Sequence, residues 1–183
     1  MPYSLRCSTF ALFSGLLFSL MPLMAWGQTY PLAEDVETLD GIINAYYEVV
    51  SGPAGQARQW ERDHSLHHPE AQVAIVRTGE DGQPDAAVMT LAEYHERSGA
   101  TSQGFFEYEI HRETQRHGHV VHVWSTYEWR TTEDGPVGGR GINSIQLYYD
   151  GQRWWITSWI FDGTRDAPPV PDAYLPSESK SQH

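Results

Sequence analysis

Apolar residues recur along this chain with two periods, and the change of period divides it. Leu39, Ile42, Ile43, Tyr46 and Val50 lie three or four positions apart, the spacing that puts one stripe of side chains along a helix. Glu34 and Asp35 precede them, where the helix dipole favours negative charge, and Gly52-Pro53 stops the run. A short second helix is expected over 54–62, then a turn region from His64 to Pro69 and a short strand over 72–77. Thr90-Leu91-Ala92-Glu93 has the form of a capping box and opens a helix that ends near Ser98-Gly99.

From Phe105 onward the period becomes two. Strand-like runs cover 105–113, 119–130, 140–149 and 153–162, parted by turn signals at His117-Gly118, Glu133-Asp134-Gly135-Pro136 and Asp150-Gly151. Helices first, then a meander of long antiparallel strands, is an α+β layout. Asp150-Gly151 between two β-rich runs is a strong hairpin signal. With a two-residue turn there, Leu147 faces Trp154, Ile145 faces Ile156, Asn143 faces Ser158, Gly141 faces Ile160, and Asp162 continues this face at the strand exit. A three-residue turn would exchange the two faces. In the run over 119–130, Val121, Val123, Ser125 and Tyr127 share the core-facing side. In the run before it Phe106, Tyr108 and Ile110 are expected inward, and Phe105, Glu107, Glu109 and His111 outward. The expected concave surface therefore offers a ligand Tyr108, Ser125, Tyr127, Asn143, Trp154 and Ser158, with Tyr46 or Tyr47 coming down from the first helix.

The ends and the composition narrow the class. Arg6, an apolar run from Phe10 to Met24 and the small-x-small triplet Ala25-Trp26-Gly27 read as a secretory leader over 1–27, cleaved before Gln28. The run is short for a membrane-spanning helix and is broken by Pro22, so no stable anchor is expected after cleavage. The mature chain is expected in a periplasm or outside the cell. Its one cysteine, Cys7, falls in the leader, which leaves the mature chain without disulfide or thiol chemistry. A single domain is expected over 28–165, and the Pro- and Ser-rich tail over 166–183 should be flexible or lie along the surface. The chain carries 24 acidic against 12 basic residues, a balance that repels phosphate backbones and argues against nucleic acid as a partner.

His68-Pro69-Glu70-Ala71, Arg140-Gly-Ile-Asn-Ser-Ile-Gln-Leu147 and Asp150-Gly-Gln-Arg-Trp-Trp-Ile156, in this order of elements, resemble the nuclear transport factor 2-like fold, the group that includes SnoaL-like proteins. The resemblance covers about 34–162. It implies a cone of curved antiparallel sheet wrapped over the first helix with a pocket inside. It is nearly silent about activity, because that fold hosts isomerases, dehydratases, epoxide hydrolases and binding modules. The position where ketosteroid isomerases carry their carboxylate base falls on Ile75, which cannot accept a proton. A histidine, tyrosine, serine and asparagine set is similar in residue type to scytalone-type dehydratases.

Two functions from different classes remain open. One is a cofactor-free lyase, isomerase or hydrolase acting on a small apolar ligand, with His67 or His68 paired with Asp162 as the acid–base unit, since a carboxylate beside an imidazole fixes its tautomer. The other is a non-catalytic binding or assembly module, a homodimer through the aromatic face of Trp124, Trp155, Trp159 and Phe161. The nine histidines show no convergent ligand spacing, so no metal is expected. Gly138-Gly139-Arg140-Gly141 lies in a hairpin connection rather than before a helix, so it is not read as a phosphate loop.

Overall fold

The computed structural model describes residues 28–98, 102–163 and 168–177. The expected leader with Cys7, and parts of the tail, lie outside the described residues. Helices α1 (Ala33–Val36), α2 (Leu39–Val50) and α3 (Trp60–Leu66) lead into strands β1 (His67–Thr78) and β2 (Pro84–Thr90). Helix α4 (Leu91–Arg97) follows, then β3 (Phe106–His117), β4 (Val120–Arg130), β5 (Gly139–Tyr149) and β6 (Trp154–Asp162), with one 3-10 turn at Asp172–Tyr174. The strands form one mixed sheet in the order β2-β1-β6-β5-β4-β3. Neighbours are antiparallel except β1 and β6, which run parallel.

The anticipated stripe drives the packing of α2. Thr38 caps the helix, its hydroxyl accepting from the Gly41 N–H at 2.9 Å. Ile42, Ile43 and Val49 are fully buried and join Val121, Val123, Ile145, Leu147 and Ile156 in one core against the concave side of the sheet. Burying each such side chain contributes about 1.5–3 kcal/mol. Arg62 on α3 pins the helices together, donating to both carboxylate oxygens of Asp35 at 2.6 and 2.8 Å and to Glu48 at 2.8 Å. The capping box at Thr90 and Glu93 forms as expected and starts α4.

Several boundaries differ from the expectation. The second of the expected helices sits later, over Trp60–Leu66, and β1 begins at His67 instead of Gln72. Strand β2 had no signal in the sequence, because its residues are exposed except Met89 and so show no alternation. The hairpin between β5 and β6 has a four-residue loop, with Tyr149 opposite Trp154. Asp150 holds that loop, its Oδ1 accepting from the N–H groups of Gln152 and Arg153 at 2.7 and 2.8 Å, and Gly151 supplies a φ of 100°.

A loop two residues longer preserves parity, so Leu147, Trp154 and Ile156 face inward as read. Thr157 then breaks the alternation. Leu147 pairs with Ile156 and Gln146 with Ser158, which leaves Thr157 as the extra residue of a β-bulge. Beyond it the faces exchange. Trp159 and Phe161 turn toward the core beside Val73 and Ile75, and Ser158 and Ile160 turn away. A second bulge leaves Ile110 unpaired in β3, between Glu109 opposite Tyr127 and His111 opposite Thr126. Before it, Glu107 and Glu109 share the inward side of Tyr127, and Phe106 and Tyr108 face out, the reverse of the reading from sequence.

This exchange has a measurable consequence. Trp159→Ala should lower unfolding stability by about 3–5 kcal/mol through loss of a buried indole. Trp155→Ala, on the opposite face, should cost about 1 kcal/mol or less. Urea denaturation followed by circular dichroism reads both, and equal losses would contradict the bulge at Thr157.

Candidate functional site

A chain of polar side chains crosses the inner face of the sheet beneath α2. Arg112 on β3 donates to both oxygens of Glu109, at 2.9 and 2.5 Å, and to Asp40 at 2.6 Å. Ser125 on β4, fully buried, donates to Glu109 at 2.5 Å. The Tyr47 hydroxyl lies 2.7 Å from Ser125 Oγ, and Asn143 Nδ2 donates to the Tyr47 oxygen at 3.2 Å. Arg112 reaches solvent through the exposed Asp40, while Tyr47, Ser125 and Asn143 are buried.

The Asn143 amide also acts on the carboxyl of Glu107, lowering its pKa. Glu107 is half-buried as a residue, but its carboxyl is desolvated, and this pushes its pKa up to about 8 against the effect of Asn143. Tyrosines gather around it. Tyr46 and Tyr47 meet edge to face at 5.1 Å, and Tyr47 lies 6.5 Å from Tyr127. Burial raises the hydroxyl pKa of Tyr46, Tyr47 and Tyr127 well above the ordinary value, and the charge of Glu107 adds to each. Tyr94 on α4 is pushed up to about 12 by burial, with Asp63 and Glu107 contributing. All four therefore stay protonated at neutral pH. Among the described residues no hydrogen bond holds the hydroxyl of Tyr46 or Tyr127. Tyr127 fits because Gly141 faces it across the strands: a Cβ at 141 would lie 2.4 Å from the Tyr127 hydroxyl. Half-buried Phe105, Trp129, Tyr94 and Phe161 border this region.

At 13% identity, a protein from Novosphingobium aromaticivorans assigned as the beta subunit of an aromatic-ring-hydroxylating dioxygenase superimposes with a TM-score of 0.52, over 76% of this chain and 94% of that one. The fold is nuclear transport factor 2-like. A second protein of that organism, assigned as an aromatic ring hydroxylase, aligns at 13% identity and a TM-score of 0.47 over 73% of this chain and 91% of its own. A protein from Kribbella flavida assigned as a ketosteroid isomerase aligns at 12% identity and 0.40, over 80% and 96%. No protein-family model and no curated protein matches the sequence.

Within this nuclear transport factor 2-like cone the anticipated site residues part company. Tyr46, Ser125, Tyr127 and Asn143 come together on the inner face, and of the Tyr46 and Tyr47 alternatives both point inward. Trp154 is also buried inside, at the turn end of β6. Its partner Tyr149 is six positions along β5 from Asn143, a separation of ~20 Å. Tyr108 is 36% exposed, donating to the Glu133 carbonyl at 3.4 Å, because the bulge at Ile110 sets its parity. Ser158 faces out beside Gln146 and Gln72.

The proposed acid–base unit does not assemble. His67 is buried with both ring nitrogens engaged: Nδ1 donates to the Asp63 carbonyl at 2.9 Å, and Nε2 accepts from Trp159 Nε1 at 3.1 Å. Burial lowers its pKa, so it packs as a neutral ring. Asp63 holds His95 as well, at 2.7 Å. His68 points to the other face, against Tyr148 and Trp155. Asp162 is exposed at the exit of β6, where its charge contributes to the raised pKa of Tyr127. Neither histidine shares a site with it. The aromatic face anticipated for a dimer also divides. Trp159 and Phe161 lie inside, and of the outward pair Trp124 meets Tyr174 of the tail at 6.1 Å while Trp155 lies under the Arg153 guanidinium at 3.6 Å. An open groove of about 530 Å³ runs along Phe106, Thr131 and Glu133, and a cleft of about 240 Å³ lies between His122, Trp124 and Tyr174. Both are outside the inner face.

The group missed from the sequence is Glu107. A lone acid in an otherwise aromatic stretch, Phe105-Phe106-Glu107-Tyr108, was the available signal, and a regular alternation assigned it to solvent. Because its folded pKa lies above the ordinary value of 4.5, the folded state keeps the proton longer than the unfolded chain does. Its contribution is complete below about pH 4.5 and is lost as pH rises to about 8. Thermal unfolding should therefore show the wild type losing stability across that window. Glu107→Gln should lose less, and parallel curves would contradict the desolvated carboxyl.

Proposed function

We propose that this protein is an exported small-molecule-binding protein whose inner face takes up an apolar, carbonyl-bearing ligand and moves a proton on it without a cofactor, with Glu107 as the acid–base group. The observation that supports this reading is the desolvated Glu107 carboxyl beside Tyr46 and Tyr127, two protonated hydroxyls with no hydrogen bond among the described residues. A carboxyl whose pKa is near the working pH exists in both forms, which general acid–base catalysis requires. As carboxylate, Glu107 takes a proton from the carbon beside the carbonyl. The electron pair left behind moves onto the carbonyl oxygen, where a tyrosine hydroxyl donates to it. The proton held on Glu107 is then returned to another atom of the ligand. Phe105, Trp129, Trp159 and Phe161 supply the apolar walls that a carbonyl compound needs and that keep the carboxyl dry. The acid–base residue thus comes from β3, although the position that the resemblance singles out on β1 carries Ile75, a core residue.

Exchange of α-protons for deuterium in simple cyclic ketones, followed by NMR, tests the chemistry. The wild type should catalyse exchange, and Glu107→Gln should reduce it by about 10²-fold or more. Exchange at the wild-type rate in Glu107→Gln would remove Glu107 from the mechanism. Saturable ketone binding without exchange would identify a binding module. Export has its own test. Expressed with its full N-terminus in a bacterial host, the protein should be recovered beginning at Gln28 by intact mass, and a retained leader would contradict cleavage.

A further inference from the structure

The direction of the proton chain can be worked out from its charged end. Arg112 has donors only, so Glu109 receives two hydrogen bonds from it and acts as an acceptor. Ser125 has a single hydroxyl proton, and it goes to Glu109. Ser125 Oγ is left with lone pairs for Tyr47, so the Tyr47 proton must point at Ser125. The Tyr47 oxygen can then only accept from Asn143, which turns the Asn143 amide so that its nitrogen faces the Tyr47–Glu107 side. If the first proton pointed the other way, every later one would reverse and Asn143 would present its oxygen instead.

We propose that Arg112 and Glu109 act as a remote positioning pair: through Ser125 and Tyr47 they fix which way the Asn143 amide faces, and so give Glu107 an amide N–H as its neighbour. Two consequences follow for the site. Tyr47 has no proton left for a ligand, which leaves Tyr46 and Tyr127 as the donors. And the acidity of Glu107 depends on a serine it does not touch. This deepens the reading of Glu107 as the acid–base group, yet it concerns the resting protein and is measurable without any ligand. Titratable groups surround this end of the chain: Tyr46 and Tyr47 on α2, Tyr94 on α4 and Tyr127 on β4 each feel the Glu107 charge, Glu109 and Arg112 share its side of β3, and Asp63 on α3 and Asp162 on β6 act on those tyrosines. Arg58 lies near Tyr94 and over the ring of Phe105. A useful variant must therefore change the chain without changing any of these charges.

Ser125→Ala does that. The pH midpoint of the Glu107 carboxyl, read by ¹³C NMR and assigned with Glu107→Gln, should rise by about one unit in Ser125→Ala, because the N–H that favours the carboxylate is no longer held in place. Glu109→Gln removes a negative charge, which by itself lowers the midpoint, and also reverses the chain, which raises it. Its shift should therefore lie higher in the Ser125 protein than in Ser125→Ala, a failure of additivity that a double-mutant cycle reads directly. Asp40→Asn should leave the midpoint in place, since Asp40 is 84% exposed and outside the chain. An unmoved midpoint in folded Ser125→Ala, or shifts that add, would overturn the positioning role. An unraised midpoint in the wild type would instead overturn the reading of Glu107 and leave the chain's direction standing.

Discussion

Two single-residue bulges decide which side chains this protein keeps inside. A strand gives each residue one of two sides, and one inserted residue hands every later residue to the other side. Ile110 does this in β3 and Thr157 in β6. Without the first, Glu107 and Glu109 could not share the inward side of β3 with Arg112. Without the second, β6 would send Ser158 and Ile160 toward α2 and leave the large ring of Trp159 outside. Both faces are occupied, so neither register can slip without exposing a buried ring or stranding a buried charge.

The inner face is unusual in how it combines an apolar core with ionisable groups. Ile42, Ile43, Ile145 and Leu147 would by themselves make an ordinary hydrophobic contact between helix and sheet. Into that contact the fold sets a guanidinium, two carboxyls, a serine, an asparagine and several tyrosines. The cost of burying them is offset where each proton has a destination, from Arg112 to Asn143. Glu107 lies past the end of this sequence of bonds, desolvated, with the Asn143 amide the group that lowers its pKa. It is the place where compensation is incomplete, and incomplete compensation is what leaves a carboxyl ready to exchange a proton.

Much of the architecture was legible in the chain. The helical stripe of α2, the capping box of α4, four long strands and the inward set of Val121, Val123, Ser125, Tyr127, Asn143 and Ile145 all follow from period and turn chemistry. The parallel pairing of β1 with β6 is not a local property, and exposed β2 has no alternation to read. The site was half legible for one reason. Bulges leave no mark in composition, and the run Phe106, Tyr108, Ile110 has the apolar period of an inward face even though Tyr108 lies outside. The histidines drew attention by number, but His67 is spent on Asp63 and Trp159, and it serves to hold α3 against β6.

Gly141 ties two distant parts of the sequence together. The space that its missing side chain leaves is filled by the tip of the Tyr127 ring, so the tyrosine is permitted by the glycine. Any homologue with a methyl or larger group at this position should carry a shorter residue in place of the tyrosine, and the two positions should covary as a pair. Where they change, the packing beside the Glu107 carboxyl changes too, so this paired substitution is a route by which relatives of the same fold could reshape their inner face.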